Sequence, residues 1–283
     1  MKNIKSFLLM LCLVLLFVSA GYSLAGISGM KIALLFSLLL NFYSYYYSDM
    51  LVLKHYSASE VNAGSNPKLY NIVKNLTQKA DLPMPKVYII PDDVPNAFAT
   101  GRNPKNAAVA ATSGLLNLLD DNEIEGVIAH ELSHIKHYDI LTGSIAAVFA
   151  GAVAMISNMA RFNVTSRNNN SNNRSNGLFA LVAIILMPIA ATIIRLGVSR
   201  TREYEADEGA ATLTQKPQYL ASALAKLDGY SKNYGLSKAT LETAHIFIVN
   251  PFSNQKAEFL SLFSTHPTTA DRIKRLSELA KKM

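Results

Sequence analysis

The sequence predicts a mainly α-helical protein with a small β-sheet, attached to a multi-helix membrane anchor. Half of its 283 residues are apolar and only 17% are charged, and its mean hydropathy is +0.17. This composition is too apolar for an ordinary soluble enzyme and indicates membrane segments. Outside the apolar runs most of the chain shows helical periodicity, and only three short segments have strand character. These are residues 86–90, 96–101 and 106–116, the last of which leads into a helix.

Four uncharged apolar runs organise the chain, and each is close to the roughly 20 residues that a helix needs to cross the hydrocarbon core. The first two, residues 6–30 and 32–48, predict a transmembrane hairpin within residues 1–50. A cleaved signal peptide is the alternative, because Lys2 and Lys5 precede the first run. The hairpin is favoured, because the first run continues past the candidate cleavage site and the second follows at once.

The other two runs, 140–160 and 178–194, lie within residues 140–198 and flank an Asn-rich, low-complexity loop at 161–177. Two further spanning helices are favoured. However, the loop carries three arginines, which spanning helices would place outside, against the usual charge bias. Helices that lie in the interface, or that shield the catalytic part, are therefore the alternative.

The charges predict how the hairpin is oriented. The loop between the first two runs holds only Lys31, whereas further lysines precede the first run and follow the second. Because basic residues favour the cytoplasmic side, both ends of the hairpin are expected there.

The net charge of +7 is explained in the same way, and no basic patch interleaved with aromatic residues indicates nucleic-acid binding. Cys12 is the only cysteine, which excludes an internal disulfide and thiolate zinc ligands.

Residues 51–139 and 199–283 are predicted to be the two parts of one catalytic domain. Asn-Pro at 66–67 has the pattern of a helix start, with an N-cap followed by proline. Another helix is expected from about Asn122, capped by Asp121 or Asn122. Three more helices are expected in the second part, near 202–214, 216–229 and 268–282.

A His-Glu-x-x-His pattern lies on the helix that follows Asn122. His130 and His134 are four residues apart, and at this spacing two imidazoles on one helix face can reach one Zn²⁺. Glu131 projects beside them, where it can take a proton from a zinc-activated water. The pattern predicts a catalytic zinc site, provided that the chain supplies a third ligand.

That third ligand has to be His, Glu or Asp, because cysteine is excluded. The best stretch is SRTREYEADEGA at 199–210. Glu203 is placed there to bind the metal, and Asp207, four residues later, to accept a hydrogen bond from a ligand imidazole. An acidic helix alone is usually a solvated face, so this interpretation depends on the His-Glu-x-x-His helix.

Several stretches together resemble the HtpX-type membrane zinc metalloproteases, which are relatives of the CAAX prenyl endopeptidases. The resemblance covers essentially the whole chain, and Thr268 is a small departure because the family commonly has a second proline there. The stretches that carry it are HELSH (130–134), SRTREYEAD (199–207), NAFATG (96–101), FIVNP (247–251) and STHPTTADRI (264–273).

The resemblance implies that His130, His134 and Glu203 bind one Zn²⁺ per subunit and that Glu131 is the catalytic base. It also implies a gluzincin-type endopeptidase fold in a multi-pass protein of the cell inner membrane. The expected role is quality control under stress, in which misfolded or damaged membrane proteins are cleaved on the cytoplasmic side. Self-cleavage is expected by the same resemblance.

Two further site assignments rest on weaker signals. His266 is a candidate donor to the oxyanion, with a helix-entry histidine as the alternative. Residues Asn96, Ala97 and Phe98 are candidates for an edge strand to which an extended substrate adds by backbone hydrogen bonds, with an ordinary strand of the sheet as the alternative. His137 and Asp139 are not expected to be ligands, and Asp139 is taken as a marker of the membrane boundary.

Three other functions compete with this one. A catalytically inactive zinc-binding scaffold would not require Glu131. A CAAX-type processing peptidase would be expected to have more apolar runs. A zinc transporter would be expected to carry His or Asp inside the runs, and none is present there. The zinc site should lie near the membrane surface, because both parts of the motif flank apolar runs.

Overall fold

The computed structural model describes residues 4–145, 200–234, 248 and 267–283. In these parts the chain forms seven labelled helices and one four-stranded sheet. The elements in chain order are α1 (Ile4–His55), β1 (Ser59–Val61), α2 (Pro67–Ala80), β2 (Lys86–Ile90), β3 (Ala97–Asn103), β4 (Asn106–Thr112), α3 (Ser113–Leu118), α4 (Asp121–Lys136), α5 (Arg200–Thr214), α6 (Pro217–Tyr234) and α7 (Thr269–Ala280).

The N-terminal helix α1 is a hairpin of two helices joined at a sharp kink. Gly26 has φ +59° there, a conformation that favours glycine. The two arms pack closely, because the rings of Phe17 and Phe36 lie 5.7 Å apart, and a Cβ on Gly21 would come within 2.5 Å of the Gly29 carbonyl oxygen. Both arms are long and apolar enough to cross a membrane, which confirms the predicted pair of helices. The second arm continues to His55, beyond the predicted boundary at residue 50.

The sheet has the strand order β1-β2-β4-β3. β2 and β4 are parallel, and the two outer strands are antiparallel to their neighbours. Three strands agree with the sequence-based segments, whereas β1 was not expected, since its three residues are too few to show periodicity. Among the described residues β3 pairs only with β4, so it lies at an edge of the sheet.

Both faces of the sheet are covered, because successive residues of β4 point to opposite faces and residues 107–112 are all buried. Val87 and Val109 face the main core, which also includes Ile128 of α4. On the opposite face, Phe98 packs against Val52 near the end of the hairpin. The edge strand β3 is therefore held between the catalytic helices and the membrane hairpin.

Helix α4 lies at the centre of the helical layer and is closely approached by α5 and α6. A Cβ on Gly126 would come within 2.5 Å of the Leu220 backbone nitrogen, and a Cβ on Gly209 would overlap Ser133. The helix begins with a capping box formed by Asp120 and Glu123. The cap predicted at Asp121 or Asn122 was wrong by one or two residues, because Asp120 and Glu123 bond each other's backbone N–H groups in this capping box.

After α4 the chain turns sharply and starts a new helical segment at residue 139, which is described to residue 145. The turn places Tyr138 at φ +64°. Leu141 joins a small cluster with residues of the hairpin, and Thr142 shares a 2.7 Å hydrogen bond with Ser6. The rest of the predicted insert at 140–198, with its loop at 161–177, lies outside the described residues, and the domain boundaries stay predictions.

Candidate active site

Two histidines of α4 face the same point in space. The Nε2 atoms of His130 and His134 lie 3.2 Å apart, and their rings are nearly perpendicular, at 88°. The four-residue spacing on a regular helix accounts for this, since one turn separates the two side chains. His130 is buried, and the side chain of His134 is 15% exposed.

Glu203 of α5 completes a group of three that could hold a metal ion. Its Oε2 lies 3.7 Å from His130 Nε2 and its Oε1 lies 3.5 Å from His134 Nε2. One ligand atom from each residue can be chosen so that all three lie within 4.8 Å of one another. Two imidazole nitrogens and a carboxylate are a ligand set that catalytic zinc sites use, so the residues fit a zinc ion.

The other nitrogen of His130 is held by a buried chain of charged groups. His130 Nδ1 lies 3.0 Å from Asp207 Oδ1. Arg272 of α7 donates to both oxygens of Asp207, at 2.9 Å and 2.7 Å, and to the Ile248 carbonyl at 2.9 Å. The predicted position of Asp207 beside a ligand imidazole agrees with this geometry. Arg272 was not singled out from the sequence, since 65 residues separate it from Asp207.

Opposing effects set the protonation of His130 and Asp207. Burial disfavours the charged imidazole, but hydrogen bonds to Asp207 and Glu203 outweigh it and raise the pKa of His130 from 6.5 to about 9. Burial also acts to raise the pKa of Asp207, yet the Arg272 guanidinium and the His130 imidazole hold it below its usual value. In the metal-free protein at neutral pH, His130 is therefore protonated beside an ionised Asp207.

His134 is contacted by a second aspartate and a second arginine. Its Nδ1 lies 3.3 Å from Asp139 Oδ2. Arg202 of α5 donates to Asp139 Oδ1 at 3.1 Å. Asp139 was interpreted from the sequence only as a boundary residue. The turn at Tyr138 brings Asp139 and Arg202 together, and no local pattern announces that turn.

Glu131 is buried beside the group of three and connects it to the sheet. Its Oε2 accepts a 2.9 Å hydrogen bond from the Ala99 backbone N–H of β3. Burial raises the pKa of the Glu131 carboxyl and outweighs the electrostatic effect of the neighbouring histidines and the Ala99 hydrogen bond, which act to lower it. A raised carboxyl pKa suits a general base that works near neutral pH.

The register of β3 decides which of its backbone groups face outward. The Thr112 N–H donates to the Asn96 carbonyl at 2.9 Å, and hydrogen-bonded and open pairs alternate along an antiparallel ladder. Asn96 and Phe98 therefore direct their backbone groups towards β4, whereas those of Ala97 and Ala99 face the outer edge. Farther along, the outward N–H of Gly101 donates to Ser144 Oγ at 3.2 Å.

Other candidates from the sequence lie away from this centre. His137 is exposed and lines a separate cavity of about 550 Å³ with Lys79, Lys136 and Glu208. Glu205 and Glu208 are exposed on α5, whereas Glu203 on the same helix is buried. His266 lies outside the described residues.

Comparison with known proteins reveals relatives along the whole chain. The profile of peptidase family M48 matches residues 63–280. A "Protease HtpX homolog" of Campylobacter hominis is 56% identical over 283 residues, which is 100% of each chain. A second one, from Methylibium petroleiphilum, is 47% identical over 274 residues and covers 96% of this chain and 95% of its own. These findings confirm the resemblance drawn from the motifs.

A solved structure also shares the fold. The crystal structure of Ste24p from S. mikatae superposes with a TM-score of 0.52 at 18% sequence identity. The match covers 96% of this chain and 65% of Ste24p, which is just under two thirds. At this identity the likeness concerns the fold alone.

Proposed function

The chain belongs to peptidase family M48 and is an HtpX-type membrane protease, and on this premise we propose that it is a zinc endopeptidase that cleaves misfolded or damaged membrane proteins at the cytoplasmic face. The observation that carries the proposal is the convergence of His130, His134 and Glu203 within 4.8 Å, with the carboxylate of Glu131 beside them. One Zn²⁺ per subunit is the metal that this ligand set fits best.

The mechanism assigns each residue one task. His130, His134 and Glu203 would hold the ion, which when bound would supply Lewis acidity to activate water near neutral pH and to polarise the scissile carbonyl. Glu131 accepts the proton of the attacking water and later delivers it to the leaving amine. Its burial keeps the carboxylate poorly solvated, which strengthens it as a base.

The edge strand β3 supports binding of extended, unfolded chains. The backbone groups of Ala97 face outward, and the outward N–H of the next such residue, Ala99, is bonded to Glu131, so a peptide that adds at Ala97 lies next to the catalytic base. Backbone pairing leaves the side chains of the substrate lightly specified, which suits a protease of misfolded proteins. Ser144, bonded to the Gly101 N–H, occupies the next outward position of the strand.

A membrane substrate is supported by the position of the site beside the apolar elements. β3 packs against the hairpin through Phe98 and Val52. Thr100 and Ser144 share a hydrogen bond of 2.8 Å, and Leu141 packs against Leu13 of the hairpin. Substrates delivered from the bilayer or its interface therefore have a short path to the site.

The test uses protein purified in detergent and stripped of metal with a chelator. Cleavage of an unfolded test protein, and self-cleavage, are followed before and after zinc is added, with Glu131→Gln alongside. We expect zinc to restore both activities in the wild type and neither in the variant. One zinc bound per chain without any cleavage would instead favour the inactive scaffold.

The strand assignment has its own test. Ala97→Pro removes an outward N–H, which an edge strand tolerates, and we expect a higher KM for the unfolded substrate with unchanged zinc affinity. Phe98→Pro is the matched control, because it removes an inward N–H of the ladder and should destabilise the fold. An unchanged KM in a folded Ala97→Pro protein contradicts substrate addition at this edge.

The cytoplasmic orientation is tested by labelling single cysteines. The labelling sites are Lys74→Cys on α2 and Lys31→Cys, five residues after the kink of the hairpin, in a Cys12→Ser background; both lysines are exposed. A membrane-impermeant maleimide applied to intact cells should label the residue 31 variant and spare the residue 74 variant. The reverse pattern would place the catalytic domain outside.

His266 remains a proposal from the sequence as an oxyanion donor. We expect His266→Ala to lower kcat while one zinc per chain stays bound, because such a donor acts on the transition state. Loss of zinc or of folding in this variant would contradict the assignment of His266 as an oxyanion donor.

A further inference from the structure

His134 has a carboxylate on each side of its ring. Its Nε2 faces Glu203 Oε1 at 3.5 Å, and its Nδ1 lies 3.3 Å from Asp139 Oδ2. Arg202 donates to the other oxygen of Asp139 at 3.1 Å. The side chains of Asp139 and Arg202 are only 14% and 11% exposed, so water competes weakly with these contacts.

We propose that Asp139 and Arg202 form a positioning pair for His134, an inference that rests on the metal centre proposed above. When Asp139 accepts the Nδ1–H of the imidazole, the lone pair of Nε2 is directed to the point that His130 and Glu203 face. A hydrogen bond of this kind sets the tautomer and orientation of a ligand histidine. Arg202 holds the carboxylate in place.

The backbone is shaped for this contact. Asp139 follows His134 by five residues, so an uninterrupted helix would place it about 140° around the axis from His134. Instead α4 ends at Lys136, and Tyr138 adopts φ +64°, which residues with a Cβ rarely do. The turn brings the Asp139 carboxylate back towards the histidine, and conformations of this kind cluster at functional sites.

The pair also joins two distant parts of the chain. Asp139 directly precedes the apolar run at 140–160, and Arg202 follows the run at 178–194 by eight residues. Their contact spans 63 positions in sequence. The two ends of the insert at 140–198 are thereby fastened together next to a metal ligand.

Zinc affinity in a Glu131→Gln background, which prevents self-cleavage, tests the pair. The dissociation constant is measured by competition with a chromogenic chelator. We expect Asp139→Asn and Arg202→Met each to raise it about 10–100-fold, the effect typical of lost partners of ligand histidines. The dissociation constant of the double variant should exceed that of the weaker-binding single variant by no more than about twofold. Asp139 and Arg202 act together on His134, so removing the second residue has little left to disrupt. Glu205→Gln, exposed on the same helix as Arg202, is the control and should bind like the background.

Cobalt in place of zinc gives a readout of ligand geometry that is independent of affinity. Asp139→Asn should change the visible absorption of the cobalt form, whereas Glu205→Gln should not. If either Asp139→Asn or Arg202→Met does not fold, Arg202→Lys takes its place, since it retains the charge and loses the planar donor. For Arg202→Lys we expect a zinc affinity below that of the Glu131→Gln background, but with a smaller loss than the one predicted for Arg202→Met.

The outcomes separate this inference from the proposed function. If the background protein binds no zinc, the metal centre itself is wrong. If it binds zinc and folded Asp139→Asn matches Glu205→Gln in affinity and cobalt spectrum, the metal centre stands and the positioning pair is overturned.

Discussion

The two histidines of α4 have the same kind of partners but different surroundings. Each ring directs Nδ1 at an aspartate, and each aspartate is bonded by an arginine. Around His130 these side chains are at most 3% exposed, whereas around His134 they are 11–15% exposed. Charge interactions weaken as water gains access. From this difference we expect the partners of His130 to contribute mainly to stability, and those of His134 mainly to the geometry of the proposed metal site.

The largest expected effect is at Arg272. Arg272→Met leaves Asp207 ionised and buried without its main partner, which typically costs about 3–5 kcal/mol. We expect the metal-free variant to unfold at a much lower temperature in detergent and to lose zinc binding. Arg202→Met should cost less than Arg272→Met, because the Arg202–Asp139 pair is somewhat more accessible to water than the Arg272–Asp207 pair. Equal losses in the two variants would break the comparison.

Substitution of Gly209 tests the close packing of α5, which carries Glu203, against α4, which carries both histidines. Gly209→Ala introduces a Cβ that overlaps Ser133 Oγ, so α5 has to move away from α4 and carry Glu203 with it. We expect a loss of about 1–3 kcal/mol in the free energy of unfolding, measured by denaturant titration, and weaker zinc binding. Adding Ser133→Ala should recover part of both. Gly209→Ala with the stability and zinc affinity of the wild type contradicts close packing as the reason for the glycine.

The pH dependence of stability and of zinc affinity tests the role of His130 directly. A pKa raised from 6.5 to about 9 means that His130 stabilises the metal-free fold below pH 6.5, and that this contribution is lost as the pH rises through about 9. Zinc must displace that proton, so its apparent affinity should rise with pH between 7 and about 9, by about tenfold per unit.

Calorimetry in buffers of different ionisation enthalpy measures this proton. We expect the release attributable to His130 to be about one proton per zinc at pH 8 in the wild type, and less in Asp207→Asn, which loses the hydrogen bond that raises the pKa of His130. Glu205→Gln should match the wild type. Equal release in Asp207→Asn would show that Asp207 does not control this proton.

The smallest expected effect is at the exposed start of α4. Asp121 pairs with Lys68, and their side chains are 71% and 47% exposed. Asp121→Asn should change the free energy of unfolding by less than about 1 kcal/mol and leave zinc affinity unchanged. A larger change would mean that exposure is a poor guide to the weight of the ion pairs in this protein.

The agreement between sequence and structure is best where the signal is local. The helix start at Asn66 and Pro67 was predicted and is present, with Asn66 accepting from the Leu69 N–H. The segments 86–90 and 106–112 form strands as expected. The three-residue strand β1 and the cap at Asp120 were missed, because short or shifted elements leave little pattern.

The sequence by itself determined the helices, most strands, the apolar hairpin and the placement of His130, Glu131 and His134 on one helix face, because each depends on residues a few positions apart. Tertiary structure alone decided that Arg272 secures Asp207 across 65 positions and that Arg202 secures Asp139 across 63. It also decided that Ala99 of the edge strand bonds Glu131. Such contacts form where separate elements pack together. Because the two partners are far apart in the chain, no local sequence pattern indicates that they will meet.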